Sequence, residues 1–531
     1  MNLEKFNIGK KDYKYLAILF IFSAILVGYY VLFNIDFGIF CSDVYIYLAN
    51  SLTFSGVNLN HLETIYLGPV VCFATSLLFD VGFRSEGSLF IVTGIFAIIG
   101  NIGLYILLRT RFNEIQSITG TIIYSCLSLN VLWLANGTLD IPAVAITIWI
   151  VIFTLIAINK NPKYYPVAFA AFMIGFMIRY TVGFILPILF VYFVYKTHLK
   201  LDKETKKYLK LCIIACVIII LGFIGILYFL DPGNLKFLEI IFNATQGSKG
   251  AEADPAYTLD TWFYLKNFLQ FISCDYTQFT GIVPNLRSAS PLAYGVLAIF
   301  LIGVGLSLNK IKQIKIKNKK LAVVALVLAI FICATFTYII GLVSIILTMV
   351  LVIMLHYLIR DSGFENLDLN FLFLIWFLVY FMYFTYFNTK VDRYMIPLMP
   401  AVVYFFMCAV NKIELKINIK NILPIILIVL FIVNAFAFTS TIDCDTNLHK
   451  NEHVADYIKQ IEPNYHDLTI GSANQRPFLW YFAQPIVPIS INNPEDIDQS
   501  NVDYYLATRE IDLNNFTLIK EYENMYIYKH N

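Results

Sequence analysis

What most limits the fold of this chain is a series of long apolar segments separated by small groups of lysines and arginines. The first, Tyr15 to Phe33, follows a head carrying Lys5, Lys10, Lys11 and Lys14. It is long enough to cross a bilayer. In hydrocarbon such a segment satisfies its backbone polar groups only by coiling into a helix. A chain made mostly of these segments is therefore an α-helical multi-pass membrane protein. The composition agrees, with 59% hydrophobic and only 14% charged residues, against roughly 25% charged in a soluble domain. A net charge of +2 gives no basic footprint, so no nucleic-acid partner is implied. The first run is too long for a signal-peptide core and has no small-residue cleavage site after it, so it is expected to stay as a span with a cytoplasmic N-terminus.

Cationic clusters in short loops mark the cytoplasmic side. Lys5–Lys14, Arg109/Arg111, Lys160/Lys163, Lys196–Lys210, Lys310–Lys320 and Lys412–Lys420 should face the same way. An even number of crossings must then separate neighbours. Three apolar runs lie between the first two clusters, so one of them does not cross. The middle run, Tyr66 to Val81, is short and contains Gly68-Pro69, and is read as an interfacial or re-entrant helix. This makes 34–85 one long external loop with amphipathic pieces. Spans are expected at 15–33, 86–108, 115–133, 141–158, 164–180, 181–196, 209–230, 290–308, two within 321–359 turning near Gly341, 370–387, 394–411 and 421–438, about thirteen in all. A second large external loop covers 231–290. Residues 1–439 are expected to form a transmembrane domain that carries any active site, and 440–531 a small extracytoplasmic α/β domain. Its helical spacing at Val454, Tyr457, Ile458 and Ile461 is followed by short apolar runs at 468–470, 485–491, 504–506, 516–519 and 526–528. Most cysteines lie inside apolar runs and read as small core residues; Cys274 and Cys444 lie in polar segments and are a candidate pair.

This topology gathers polar residues at one membrane face. Asp36, Asp43, His61 and Glu63 lie in the first external loop, Asp140 in the second, Arg179 at the outer end of a span, and Lys390, Asp392 and Arg393 ahead of a later one. Such a mix suits a reaction in which a base activates a nucleophile while cations hold a phosphate. Asp43 is the candidate base, with burial at the membrane surface expected to raise its pKa. Its ordinary alternative is an interfacial acid, as Tyr45 and Tyr47 have the alternative of interfacial aromatics. Asp140, after Asn136-Gly137-Thr138 and before Ile141-Pro142, is either a helix cap or a second site acid. Arg393 suits a lipid phosphate, or else a snorkelling anchor. Arg179 interrupts a nearly continuous apolar stretch, where ionisable residues are functional by default. His61 and Glu63 are candidate substrate contacts. They also leave a divalent metal as a candidate cofactor, without a dense ligand cluster to support it. The segment Gly247–Asp260 reads as a gating loop or a plain surface loop. Asn136-Gly137-Thr138, Asn243-Ala244-Thr245 and Asn515-Phe516-Thr517 are short glycosylation patterns of little weight.

The acid with a tyrosine four residues on (Asp43, Tyr47) and the Gly68-Pro69 ahead of an apolar helix resemble GT-C glycosyltransferases. So do Asp140 in the second external loop, Arg393-Tyr394 ahead of Pro397 and Pro400, and the terminal external domain. The pattern is most similar to the dolichyl-phosphate-mannose protein mannosyltransferases and the bacterial aminoarabinose transferases. It departs from them in two places: Asp43 is followed by Val44 rather than a second acid, and Leu67-Gly68-Pro69 stands where aminoarabinose transferases carry Lys-Pro-Pro. The resemblance implies a GT-C fold, a polyprenyl-phosphate sugar donor, an acceptor hydroxyl on protein, lipid or glycan, and transfer of a hexose or pentose with inversion. It implies Asp43 and Asp140 as catalytic acids, Arg393, Arg179 and Lys390 as donor-phosphate cations, and Tyr47 beside the substrate. Two other readings stand beside it. A lipid-linked glycan polymerase or ligase would favour an Arg-rich central loop, whereas 231–290 is more acidic than basic. A transporter of lipid or sugar would favour internal repeats and charges at the midplane, and no repeat is visible.

Overall fold

The computed structural model describes residues 9–59, 68–197, 201–230, 260–280, 283–311, 318–336, 338–339, 341–359, 366–387, 390–417, 421–444 and 448–531. It is a helical bundle with a small sheet-containing unit at one end. The helices are α1 (Lys10–Phe37), α2 (Ser42–Phe54), α3 (Pro69–Asp80), α4 (Glu86–Leu108), α5 (Glu114–Cys126), α6 (Ser128–Leu132), α7 (Asp140–Asn159), α8 (Tyr165–Ile178), α9 (Ile185–Thr197) and α10 (Lys203–Leu230). After a hairpin come α11 (Pro291–Ile311), α12 (Lys319–Thr335), α13 (Gly341–Ile359), α14 (Leu367–Tyr386), α15 (Met399–Ile417) and α16 (Ile422–Thr439). Nine helical stretches among the described residues are long and apolar enough to cross a membrane. Each segment expected to span carries a helix. The block 321–359 does divide, with α13 starting at Gly341, where a Cβ would lie 2.8 Å from Tyr386.

The segment 34–85, expected as a loop with amphipathic pieces, is mostly helix. α2 is almost wholly buried. α3, at 12 residues, is too short to cross. Gly68 sets its start. It has φ +60 as N-cap of α3, with Pro69 at the first helical position, where proline is pre-organised. A Cβ on Gly68 would lie 2.4 Å from Leu139 Cδ1, next to Asp140. Gly68→Ala should therefore combine left-handed backbone strain of about 1–2 kcal/mol with a displaced Leu139. We expect a lower melting temperature in detergent, and normal stability in this variant would show that the turn does not need glycine.

The loop expected over 231–290 contains an antiparallel hairpin, β1 (Cys274–Thr280) and β2 (Val283–Ala289). It is joined in parallel by β3 (Ile442–Cys444), just after α16. Cys444 pairs in register with Phe279, five residues along β1 from Cys274. That places the two cysteines roughly 16 Å apart, too far for a disulfide. The gating segment 247–259 and Asn243 lie outside the described residues.

The tail folds as an α/β unit with α17 (Leu448–Ile461), α18 (Gln475–Phe482) and strands β4 (Ile470–Ser472), β5 (Ile486–Pro488), β6 (Tyr504–Ala507), β7 (Phe516–Tyr522) and β8 (Met525–His530). The sheet order is β5-β4-β6-β8-β7, parallel at β5-β4-β6 and antiparallel thereafter. Its apolar side is continuous with the bundle core, as Phe478, Leu479 and Ile458 belong to the same buried cluster as α2 and α4. α18 provides the joint. The Tyr481 and Tyr45 hydroxyls are 3.2 Å apart, Trp480 Nε1 donates to Glu86 at 2.5 Å, and the Trp480 ring stacks on Phe79.

Candidate functional site

Four charged side chains meet where α2, α7, the turn after α8 and the entry to α15 converge. Asp43 is in the first turn of α2, one position after Ser42. Arg393 lies in the 3-10 stretch Asp392–Leu398 that leads into α15. Its Nη2 donates to Asp43 Oδ2 at 2.6 Å, its Nη1 reaches Cys41 Sγ at 3.3 Å, and its Nε is 4.0 Å from Asp140 Oδ2. Arg179 breaks the chain between α8 and a 3-10 turn and donates from Nη1 to the same Asp140 oxygen at 2.9 Å. The result is a continuous row, Asp43–Arg393–Asp140–Arg179, in which each charge faces its opposite. Aromatic rings hold the two guanidiniums, with Arg393 over Trp133 at 5.4 Å and Arg179 over Tyr394 at 5.6 Å.

The two acids differ. Asp140 retains 1% side-chain exposure, Asp43 29%, and the guanidiniums 13% (Arg179) and 11% (Arg393). A reacting molecule therefore has readiest access to Asp43. Asp140 does not serve as the helix cap its sequence context allows. Leu139 is the N-cap of α7, and Asp140 is the first helical residue with its carboxylate turned to Arg179. The turn before it is fixed from several sides. Asn136 Oδ1 accepts from the Thr138 N–H and hydroxyl, and Asn34 at the end of α1 donates to Leu134 and Ala135 carbonyls. Asn136 is 4% exposed, so its short glycosylation pattern is closed off, whereas Asn515 is exposed.

The expectation that burial raises the Asp43 pKa is not met. Burial does push it upward, but the Arg393 guanidinium, with smaller help from Arg179 and Arg476, outweighs that and holds it below the usual carboxylate value. Asp43 is thus ionised at neutral pH while Arg393 holds it. Tyr47, one turn further along α2, is 1% exposed, and burial raises its phenol well above the ordinary value. It is a neutral wall of the site.

Lys390 does not join the row. It is 4% exposed and donates to the Phe387 carbonyl, and no ion pair to Asp43 or Asp140 occurs among the described residues. Burial lowers its ammonium to about 8 against the opposing pull of Asp260. His61 and Glu63 lie outside the described residues. No three His, Cys, Asp or Glu side chains converge as a metal site among the described residues. Arg476 on α18 is the group that sequence reading missed. Its charge reaches Asp43 from the tail, although it lies more than 400 residues away in the chain. Only the docking of α18 on α2 discloses it.

The bundle thus carries short helices after its first span, an acid in the first turn of α7 and a terminal α/β unit. Residues 67–224 match the family model of dolichyl-phosphate-mannose-protein mannosyltransferase. That stretch holds Gly68-Pro69, Asp140 and Arg179 but neither Asp43 nor Arg393. Among solved structures the chain is similar to ArnT from Cupriavidus metallidurans bound to undecaprenyl phosphate, with 12% identity over 96% of this chain and 97% of that one, and a TM-score of 0.61. The apo form of the same protein gives 11% identity, the same coverage and a TM-score of 0.59. At these identities the likeness is one of fold. No curated protein sequence matches the chain.

Proposed function

We propose that this protein is an inverting glycosyltransferase of the GT-C type, moving a hexose or pentose from a polyprenyl-phosphate carrier to a hydroxyl on protein, lipid or glycan. The observation that carries the reading is the row Asp43–Arg393–Asp140–Arg179, with the more accessible of its two acids at one end. The family match and the fold shared with a protein solved with undecaprenyl phosphate support the donor class. By the positive-inside argument the row faces the exterior.

In the proposed step the donor's phosphate competes with Asp43 for Arg393. Once freed, the Asp43 carboxylate takes the proton of the acceptor hydroxyl. That oxygen attacks the anomeric carbon from the side opposite the phosphate, and the bond from carbon to phosphate oxygen breaks with its electron pair. Arg393 and Arg179 stabilise the charge gathering on the released polyprenyl phosphate. Asp140 holds both guanidiniums in place, and Arg476 and Tyr47 contact the sugar or the acceptor.

The test is transfer of label from a radiolabelled polyprenyl-phosphate sugar by purified protein in detergent, across a panel of sugars and hydroxyl acceptors. Labelled product with inverted configuration is expected. If vesicles show movement of the labelled lipid between leaflets and no sugar transfer under any acceptor, the protein is a transporter instead.

Lys390 adds a pH dependence. We expect it to serve the phosphate as a third cation, three residues before Arg393. Its charge is lost as pH rises through about 8, so the transfer rate should fall above that pH. Asp43, held below its usual range by Arg393 before the donor binds, should give no acidic limb near neutrality in kcat/KM for the donor, which reports the free protein. Lys390→Arg keeps its charge throughout and should abolish the alkaline limb. A limb that survives in Lys390→Arg would remove Lys390 from the phosphate site.

A further inference from the structure

A second polar site lies at the other end of the bundle. Lys412 follows Arg393 along the 3-10 stretch and α15 by roughly 30 Å, which places it a membrane thickness away from Asp43. There a cavity of about 560 Å³ opens between α11, α13, α14 and α15. Gly303 explains its outline. A Cβ there would lie 2.3 Å from Ala409, so α11 and α15 touch backbone to backbone at that level. On the other side α13 packs on α14, with Tyr386 of α14 donating to Ser344 of α13 at 2.8 Å, and α14 packs in turn on α15, with Phe373 stacked on Tyr404. The cavity is the space that α11, α13, α14 and α15 enclose between them.

Its wall is divided. Arg111, His356, Asn370, Asn411 and Lys412 form one end, and Phe300, Val304, Val352, Phe371, Leu374 and Phe405 the rest. None of the lining side chains is acidic among the described residues. Arg111 donates to the Tyr404 hydroxyl at 2.5 Å and to Asn370 Oδ1, and its guanidinium lies 5.2 Å from the Tyr404 ring centroid. His356 is 4% exposed and packed edge-on to Tyr195. Leu355 and Val304, which also line it, are exposed, so its open side is apolar as well as polar.

We propose that this cavity binds the head group of one anionic phospholipid. Arg111 and Lys412 would meet its phosphate, the amides of Asn370 and Asn411 its remaining oxygens, and the apolar wall the upper part of its acyl chains. A cationic pocket between helices at the basic face of a membrane protein attracts an anionic head group by about 1 kcal/mol per cation. The size is that of an ordinary ligand site. The site is independent of the donor site and of the glycosyltransferase reading.

Native mass spectrometry of the full chain in neutral detergent tests it. Phosphatidylglycerol should remain as one retained lipid per protein and raise the melting temperature, while phosphatidylcholine should do neither. Lys412→Gln and Arg111→Gln should each weaken retention about fivefold. Lys163→Gln, on another basic loop, should leave it unchanged. Arg111→Gln alone risks disturbing Tyr404, so the Lys412 variant carries the decision. Equal retention of the two phospholipids, or full retention in Lys412→Gln, would overturn the proposal. Stronger retention of polyprenyl phosphate would overturn the phospholipid assignment, as would an equal thermal shift with inorganic phosphate alone.

Discussion

Asp43→Asn should lower sugar transfer by about 10²–10⁴-fold, the usual contribution of a positioned general base. The protein should still fold and still bind the donor. Asparagine is nearly the same size and retains an oxygen for Arg393 Nη2, which lies 2.6 Å from the native carboxylate. The lost charge is the most exposed of the row, with 29% of the Asp43 side chain open, so its removal costs less than loss of a fully buried partner. Donor affinity should stay constant or rise, because Arg393 no longer has a carboxylate competing with the lipid phosphate. Two readouts separate a base from a positioning residue. A base gives a fall in kcat with little change in donor KM, and Asp43→Glu restores part of the rate. If Asp43→Asn transferred sugar within about tenfold of the parent, the proton would have to go elsewhere.

That the chain is a bundle of apolar helices was readable from sequence because bilayer physics leaves so few options, although against about thirteen expected spans nine helical stretches are long and apolar enough to cross among the described residues. A long apolar run must be a helix, and basic loops choose its direction. The same parity argument assigned 66–81 to a non-crossing helix, and the structure has the 12-residue α3 there. Strands β4 to β8 were legible from short apolar runs with turns between them. The hairpin β1–β2 was not, because strands such as Cys274–Thr280 alternate too weakly and lie inside a polar segment. Within the site, residue type and membrane face were enough to nominate Asp43, Asp140, Arg179 and Arg393, and the fold brings all four into contact. Their pairing was not legible. Nothing in one dimension says that Arg393 is shared between two acids, and that sharing reverses the pKa shift that burial alone would give Asp43. Asp140 shows the same limit. Its neighbours Leu139 and Pro142 look like an ordinary helix start, and only the side chain's direction tells a cap from an ion pair. Arg476 was invisible for a simpler reason, since its place depends on how α18 docks on α2.

Asp140→Asn should be the most destabilising single change in the row, by about 3–5 kcal/mol, the cost of breaking a buried ion pair by removing one partner. Asp140 is 1% exposed and faces two guanidiniums, at 2.9 Å and 4.0 Å. Without its charge, Arg179 and Arg393 share only Asp43, and Arg179 has that anion at second hand. Denaturant unfolding in mixed micelles would measure the loss. Arg179→Gln in the Asp140→Asn background should recover much of it, because the orphaned charge goes with the arginine, so the double variant should lie well above the sum of the singles. The same argument links stability to the proposed donor. A polyprenyl phosphate seated between Arg393 and Arg179 supplies a negative charge where Asp140 supplied one. Saturating polyprenyl phosphate should therefore stabilise Asp140→Asn more than it stabilises the parent. Equal stabilisation of the two would mean that the lipid phosphate does not reach these guanidiniums, and would move the donor site away from Asp140. A small stability loss in Asp140→Asn, with additive effects in the double variant, would mean that the row is not coupled as its geometry implies.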